Sequence, residues 1–139
     1  MIVLDTNVLS ELMRQTPDES VVVWMDRHSN ASLFTTAVTQ AEILYGVSIL
    51  PASKRKQSLA AAVGEMFEHD FRERTLPFDS PAAVAYAAIC SDREQRGRPI
   101  SQFDAQIAAI SRSRGAALAT RNKSDFGECG IQVIDPWAV

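Results

Sequence analysis

The sequence has the size and composition of one ordinary domain. Its 139 residues are 46% hydrophobic, and a chain of this length can bury about two thirds of its unfolded surface. The formal net charge of -3 excludes a polybasic tail, so any contact with a nucleic acid must be local. No apolar run approaches the roughly 20 residues that span a bilayer, and no signal-peptide pattern opens the chain. We therefore expect a single domain over residues 1–139, without a membrane segment, in the cytoplasm.

The first half of the chain alternates strand-like and helix-like patterns. A short apolar run predicts a first strand at Ile2–Leu4. The elements predicted next are helices over residues 8–13 and 18–28, a strand over 33–35, and helices over 38–50 and 53–70. In the last of these helices, four apolar residues recur at helical spacing and predict a buried stripe, namely Leu59, Val63, Met66 and Phe67.

The second half of the chain continues the alternation. A strand is predicted over residues 74–78, and the next helix starts at Asp79-Ser80-Pro81, with proline in its first turn, and runs to Gly97. The last predicted elements are a helix over 101–113 and strands at Ala117–Ala119 and over 131–134. Parallel neighbouring strands need crossovers of about a dozen residues or more. The order therefore predicts a three-layer α/β fold, with a five-stranded, mostly parallel sheet flanked by helices.

Three acidic residues stand where such a fold places ligands. Asp5 directly follows the first strand, and Glu42 and Asp104 lie in the first turns of two later helices. If the first strand is central, these helix entrances meet at one edge of the sheet. Carboxylate oxygens are the ligands that Mg²⁺ and Mn²⁺ prefer. The three acids therefore predict a metal site that would polarise a phosphoryl oxygen and activate a water, with one or two ions bound.

A purely structural role for the same acids is the alternative. Thr39-Gln40-Ala41-Glu42 and Ser101-Gln102-Phe103-Asp104 both match the capping-box pattern, in which the acid satisfies a backbone N–H at a helix start. Asp5 fits this alternative less well, because a charge directly after a buried strand must find partners or stay hydrated.

Motifs along nearly the whole chain resemble the PIN-domain nucleases, and among them the VapC-type toxins of the FitB-like group. In chain order the motifs are IVLDTNVLSE at 2–11, TQAEILYG at 39–46, LPFD at 76–79, DAQIAA at 104–109, ATRN at 119–122 and DPW at 135–137. The resemblance implies a PIN-like fold and an endoribonuclease that hydrolyses RNA phosphodiesters with Mg²⁺ or Mn²⁺. It also implies the toxin of a type II toxin–antitoxin module, with a cognate antitoxin and a homodimer.

The resemblance also assigns roles to residues. Asp5, Glu42 and Asp104 match the three principal acids of the family, which are catalytic and bind the metal. At the fourth catalytic position many relatives carry aspartate, whereas this chain has Asn122, which offers only a neutral carbonyl oxygen. Asp125 lies nearby and is expected to compensate as an alternative fourth ligand.

Several neighbouring residues are assigned supporting roles. Hydrogen bonds to the acids or to a phosphate are the role expected of Thr6, Asn7 and Thr120, although Thr6 also suits a helix cap. Arg121 and Lys123 flank the expected site and are the candidate RNA contacts, because an acidic site must still hold an anionic polymer. The helices over residues 38–71 carry more apolar side chains than one sheet face needs, which predicts either an interface or additional core.

Three other functions compete with the nuclease. A receiver-like signalling domain has a similar small parallel fold, but it requires a pair of acids after its first strand. In this chain Asp5 is followed by Thr6. An aspartyl phosphatase would place another aspartate where Asn7 stands. The third is a weak or inactive PIN scaffold that mainly binds a partner protein, and Asn122 keeps that alternative open.

Overall fold

The computed structural model describes all 139 residues, as five strands and six α-helices, with a pair of helices between successive strands from the first to the fourth. The strands are β1 Ile2–Leu4, β2 Leu33–Thr36, β3 Thr75–Leu76, β4 Ala117–Ala119 and β5 Val133–Ile134. The helices are α1 Thr6–Leu12, α2 Glu19–Asp26, α3 Ala37–Ser48, α4 Lys54–Glu65, α5 Ser80–Gln95 and α6 Gln102–Ser113. Short 3-10 helices lie at Asn30–Ser32 and Lys123–Phe126, and a π-helical turn at Met66–Asp70 extends α4. None of the helices has the length and apolar composition that crossing a bilayer requires.

The strands form one sheet in the order β3-β2-β1-β4-β5, and every pair is parallel. Ile2 of β1 lies opposite Leu33 of β2 on one side and Ala117 of β4 on the other. The predicted five-stranded sheet is confirmed, and it is wholly rather than mostly parallel. Because β1 is central and all strands point the same way, the residues that follow β1, β2 and β4 meet at one edge.

Alternating side chains of the central strands point into two apolar cores. Val3 and Leu118 belong to the core covered by α5 and α6, whereas Leu4 and Ala119 belong to the core covered by α1, α2 and α4. This alternation is the two-residue period of a strand, and it lets short strands be buried on both faces. The predicted three-layer α/β fold is therefore confirmed.

The differences from the predicted elements have local causes. The strand predicted over 74–78 keeps only Thr75–Leu76, since Pro77 lacks the N–H that would extend the ladder. The strand predicted over 131–134 keeps only Val133–Ile134, which pair with the last two residues of the three-residue β4. Helix α4 ends at Glu65, and the N–H of Phe71 reaches the carbonyl of Met66 across the π turn. The predicted stripe is buried as expected at Val63, Met66 and Phe67, and Leu59 is half-buried.

A candidate acidic site at the carboxyl edge of the sheet

An open cleft of about 380 Å³ lies at the edge where β1, β2 and β4 end. No hydrophobic residue lines this cleft. Its walls are the side chains of Asp5, Thr6, Asn7, Ser10, Glu42, Asp104 and Asn122. The structure thus brings together, from four separate stretches of sequence, the three acids and the asparagine that the sequence singled out. Thr6 and Asn7 line the same cleft, whereas Thr120 lies beneath it, fully buried.

Asp5 lies at the base of the cleft and is only 5% exposed. Its carboxylate caps α1 by accepting a hydrogen bond of 2.8 Å from the N–H of Thr6. It also accepts hydrogen bonds from the Thr120 hydroxyl at 2.8 Å and from Asn7 Nδ2 at 3.3 Å. Asp5 is therefore both a helix cap and the centre of a polar network, because a buried carboxylate needs donors around it.

Burial raises the pKa of Asp5 to about 6. The hydrogen bonds from Thr120 and Thr6 lower this pKa, and the negative charges of Asp104 and Glu42 raise it further. Burial and like charges both penalise the ionised carboxylate, whereas a cation in the cleft would remove that penalty. The electrostatics of Asp5 therefore favour a positively charged ligand.

Glu42 lies in the second turn of α3, where its Oε1 accepts a hydrogen bond of 2.9 Å from the Thr6 hydroxyl. The Thr6 and Thr39 hydroxyls are 3.0 Å apart. The cap of α3 is Thr36, whose Oγ1 accepts from the Thr39 N–H at 3.0 Å. The capping-box alternative for Glu42 is therefore wrong, because the helix begins two residues before Thr39. Sequence reasoning missed Thr39 as a neighbour of the site, although it stands three residues before Glu42 on one helix face.

Asp104 combines a capping position with a place in the cleft. Ser101 caps α6 by accepting from the Asp104 N–H at 3.3 Å, and the Asp104 side chain is half-buried. Burial raises the pKa of Asp104. A hydrogen bond from Ser101 and the charge of Arg93 lower this pKa, whereas the charge of Asp125 raises it. The first turn of α6 therefore places the Asp104 carboxylate in the cleft, where its surroundings do not fully stabilise the ionised form.

Thr120 joins the two sides of the site below the cleft. Its hydroxyl donates to Asp5 and accepts hydrogen bonds of 3.1 Å from Asn7 Nδ2 and from the N–H of Asn122. The Arg121 N–H in turn donates to Asn7 Oδ1 at 3.3 Å. The segment that leaves β4 is thereby fixed against the start of α1, which places Asn122 in the wall of the cleft.

The remaining predicted residues lie outside the cleft walls. Asp125 is exposed on the 3-10 helix at Lys123–Phe126 and does not line the cleft. The Arg121 guanidinium stacks over the Trp137 ring at 5.1 Å, and Lys123 is exposed. Arg121 and Lys123 therefore flank Asn122 in sequence without lining the cleft. Sequence reasoning missed Ser10, which lines the cleft four residues after Thr6 on α1.

The donor set of the cleft suits a hard divalent cation. It offers three carboxylates, hydroxyls and the amide oxygen of Asn122, all of them oxygen ligands. No three acidic, histidine or cysteine side chains stand close enough together to form a ready-made coordination sphere. That spacing still fits Mg²⁺, which typically binds through one or two carboxylates and keeps several waters.

The chain is similar over its full length to proteins of one family. The model of the PIN domain family matches residues 2–129. The chain is 36% identical to the VapC ribonuclease Y4jK of Sinorhizobium fredii, over 99% of this chain and 98% of that protein. It is 37% identical to Toxin FitB of Neisseria gonorrhoeae, over 99% of each chain.

Solved structures agree with the sequence relatives. In the structure of FitAB bound to the IR36 DNA fragment, the matching chain superimposes with a TM-score of 0.94 at 37% identity. The match covers 100% of this chain and 97% of that one. The crystal structure of FitAcB from Neisseria gonorrhoeae gives a TM-score of 0.90 at 37% identity, over 100% of both chains. The resemblance seen in the sequence motifs is thereby confirmed.

Proposed function

The chain belongs to the PIN domain family, and from this premise we propose that it is a metal-dependent endoribonuclease, the toxin of a type II toxin–antitoxin module. The observation that carries the proposal is the convergence of Asp5, Glu42 and Asp104 in one wholly polar cleft. Membership of this family removes the receiver-like and phosphatase alternatives. Under this proposal the protein acts in the cytoplasm, because its substrate is cellular RNA.

The proposed reaction is hydrolysis of an RNA phosphodiester by water. A Mg²⁺ or Mn²⁺ ion held by one or two of the carboxylates of Asp5, Glu42 and Asp104, and otherwise by water, would polarise the phosphoryl oxygen and lower the pKa of the attacking water. Asp5 is oriented for this role by the hydrogen bonds from Thr6, Asn7 and Thr120. Glu42 is oriented by the Thr6 hydroxyl, so one threonine contacts both acids through its N–H and its hydroxyl.

An acidic cleft can hold RNA only if other charges offset its carboxylates. The carboxylates repel a phosphate backbone, so bound metal and peripheral cations must offset them. We assign the peripheral contacts to Arg121 and Lys123, which are exposed and flank Asn122 of the cleft wall. Stacking on Trp137 holds the Arg121 guanidinium in place, which lowers the entropy lost when it binds a phosphate.

A cognate antitoxin is the proposed protein partner. Some solved relatives are named as complexes, FitAB and VapBC among them. In this chain an apolar groove of about 580 Å³ runs between α1, α2 and α4. It is lined mainly by hydrophobic side chains, including Leu12, Met13, Met25, Ala62 and Met66. A groove of this composition suits an apolar segment of the antitoxin.

The test of the proposed function is cleavage of a mixed RNA ladder by the purified chain, free of antitoxin. We expect cutting with Mn²⁺ and none with EDTA. Cutting that persists in EDTA would contradict the metal-dependent reaction. The absence of cutting under every condition would instead support the inactive scaffold.

The fourth ligand position gives a separate prediction. Because Asn122 replaces a carboxylate, the wild type should bind a second Mn²⁺ weakly, and Asn122→Asp should bind it about tenfold more tightly. Titration with Mn²⁺, followed by electron paramagnetic resonance, measures both the stoichiometry and the affinity. Equal values for the two proteins would contradict a role of residue 122 in metal binding.

A homodimer is also proposed, through the exposed apolar surface of α3. Leu44, Tyr45 and Ile49 are 48%, 67% and 63% exposed, although they are large and apolar. We expect Tyr45→Asp to raise the dimer dissociation constant at least about thirtyfold, because a buried interface tyrosine contributes about 2 kcal/mol or more. Size exclusion with light scattering measures this, and Val23→Asp on α2 is the matched control. A wild-type monomer, or a dimer unaffected by Tyr45→Asp, would rule out this interface.

A further inference from the structure

Arg93 of α5 is a buried arginine that forms no ion pair, although its charge lowers the pKa of Asp104. Its side chain is only 4% exposed, and no carboxylate lies within ion-pair distance. Its Nε donates to the carbonyl of Arg98 at 2.7 Å, and Nη1 donates to the carbonyls of Asp125 and Gly127 at 3.0 Å each. A buried guanidinium is unfavourable unless such hydrogen bonds compensate it. Packing alone therefore does not explain why a charged side chain is kept in the interior at this position.

The carbonyls that Arg93 holds belong to two loops, and each loop leads to a residue of the cleft. Arg98 lies in the connection between α5 and α6, three residues before Ser101, which caps α6 and precedes Asp104. Asp125 and Gly127 lie on and just after the 3-10 helix that follows Asn122. A single guanidinium thus joins the segment that carries Asp104 to the segment that carries Asn122.

We propose that Arg93 is a positioning residue that sets the separation between Asp104 and Asn122. The inference rests on the proposed function, since it concerns the metal affinity of the same cleft. Arg93 acts through backbone carbonyls and does not line the cleft itself. Its planar fork can bridge two loops in fixed geometry, whereas the single ammonium of a lysine cannot. Groups that orient metal ligands in this way commonly change affinity by about tenfold or more when they are replaced.

The chain also contains a matched control for this role. Arg74 donates to the carbonyls of three residues, Asn30, Leu33 and Asp70. Leu33 begins β2, at the opposite end of that strand from Thr36 and the cleft. Arg74 therefore ties loops together as Arg93 does, but far from the candidate metal ligands. Lysine at either position should lower the free energy of unfolding, whereas only Arg93→Lys should weaken metal binding.

The experiment compares Mn²⁺ binding by calorimetry, and unfolding in urea, for wild type, Arg93→Lys and Arg74→Lys. We expect both variants to lose stability, and only Arg93→Lys to raise the Mn²⁺ dissociation constant, by at least about tenfold. In RNA cleavage, Arg93→Lys should lower kcat, keep KM for RNA, and recover activity as Mn²⁺ is raised. Should the lysine variant not fold, Arg93→Gln replaces it. Removing the charge that acts on Asp104 should by itself favour cation binding, so weaker Mn²⁺ binding by this variant still reports lost positioning.

The outcomes separate this inference from the proposed function. Unchanged Mn²⁺ affinity in the Arg93 variant, or an equal loss of affinity in both lysine variants, overturns the positioning role and leaves the nuclease proposal intact. Failure of the wild type itself to bind Mn²⁺ removes the proposed function, and this inference with it.

Discussion

Asp5→Asn is expected to abolish Mn²⁺-dependent RNA cleavage, with a rate loss of about a thousandfold. A bound metal supplies several kcal/mol of transition-state stabilisation, and about 1.4 kcal/mol corresponds to a factor of ten. The substitution removes a charge at the base of the cleft, where Asp5 faces both Glu42 and Asp104. An amide oxygen can still accept from the Thr6 N–H, so the cap of α1 is retained. The loss of activity should therefore arise from chemistry and not from unfolding.

The matched control for this experiment is Asp26→Asn. Asp26 is the last residue of α2, is exposed, and makes no hydrogen bond or ion pair through its side chain. Single-turnover cleavage of labelled RNA, at saturating Mn²⁺, should give the same rate for this variant and for the wild type. Activity in Asp5→Asn within a few fold of the wild-type value would mean that the acidic cleft is not where RNA is cut.

The sheet and its acidic edge could be predicted because short-range patterns encode them. The apolar run at Ile2–Leu4 is followed by a charge, and Asp5 itself is the cap that starts α1. The alternation of strands and helices then makes a parallel sheet with β1 at its centre the natural arrangement. Under that topology, the placement of Glu42 and Asp104 near Asp5 follows from strand direction alone.

Contacts between distant loops could not be predicted in the same way. Asp125 is only three residues from Asn122, so sequence proximity suggested that it could serve as the fourth ligand. Asp125 does not line the cleft, although its charge raises the pKa of Asp104, and its carbonyl is held by Arg93. Arg93 belongs to a helix whose exposed face is rich in charge, and nothing in the local pattern separates a buried arginine from a solvated one. Its role depends on the way two loops converge, which is a property of the tertiary structure.

Asp5 should also make the metal-free protein less stable at neutral pH than at acidic pH. Burial raises its folded-state pKa to about 6, from an ordinary value of 3.8. An acid with a raised pKa holds its proton more tightly in the folded state, so its contribution to stability falls as pH rises from 3.8 to about 6. Above that range, the buried charge of Asp5 lowers the free energy of unfolding by its full amount. This is about 3 kcal/mol, because each unit of difference between the folded and unfolded pKa corresponds to about 1.36 kcal/mol.

The difference in unfolding free energy between Asp5→Asn and the wild type isolates this contribution. Measured by urea denaturation in EDTA, the difference should move by about 2 kcal/mol in favour of the variant between pH 4 and pH 7. Part of the variant's gain is offset, because the Thr120 hydroxyl loses a carboxylate acceptor at every pH. The diagnostic quantity is therefore the change of this difference with pH. For Asp26→Asn, the difference from the wild type should hardly change between pH 4 and pH 7. A flat difference would show that Asp5 carries no buried charge at neutral pH.

Addition of Mn²⁺ at pH 7 connects this destabilisation to the proposed function. A cation bound in the cleft offsets the repulsion among Asp5, Glu42 and Asp104 and adds stability by mass action. The wild type should gain about 4.1 kcal/mol at a Mn²⁺ concentration one thousand times its dissociation constant. Asp5→Asn should gain far less at the same concentration, although it is the more stable protein in EDTA. A reversed order of stability with and without metal is the result expected if burial of Asp5 serves the site and not the fold.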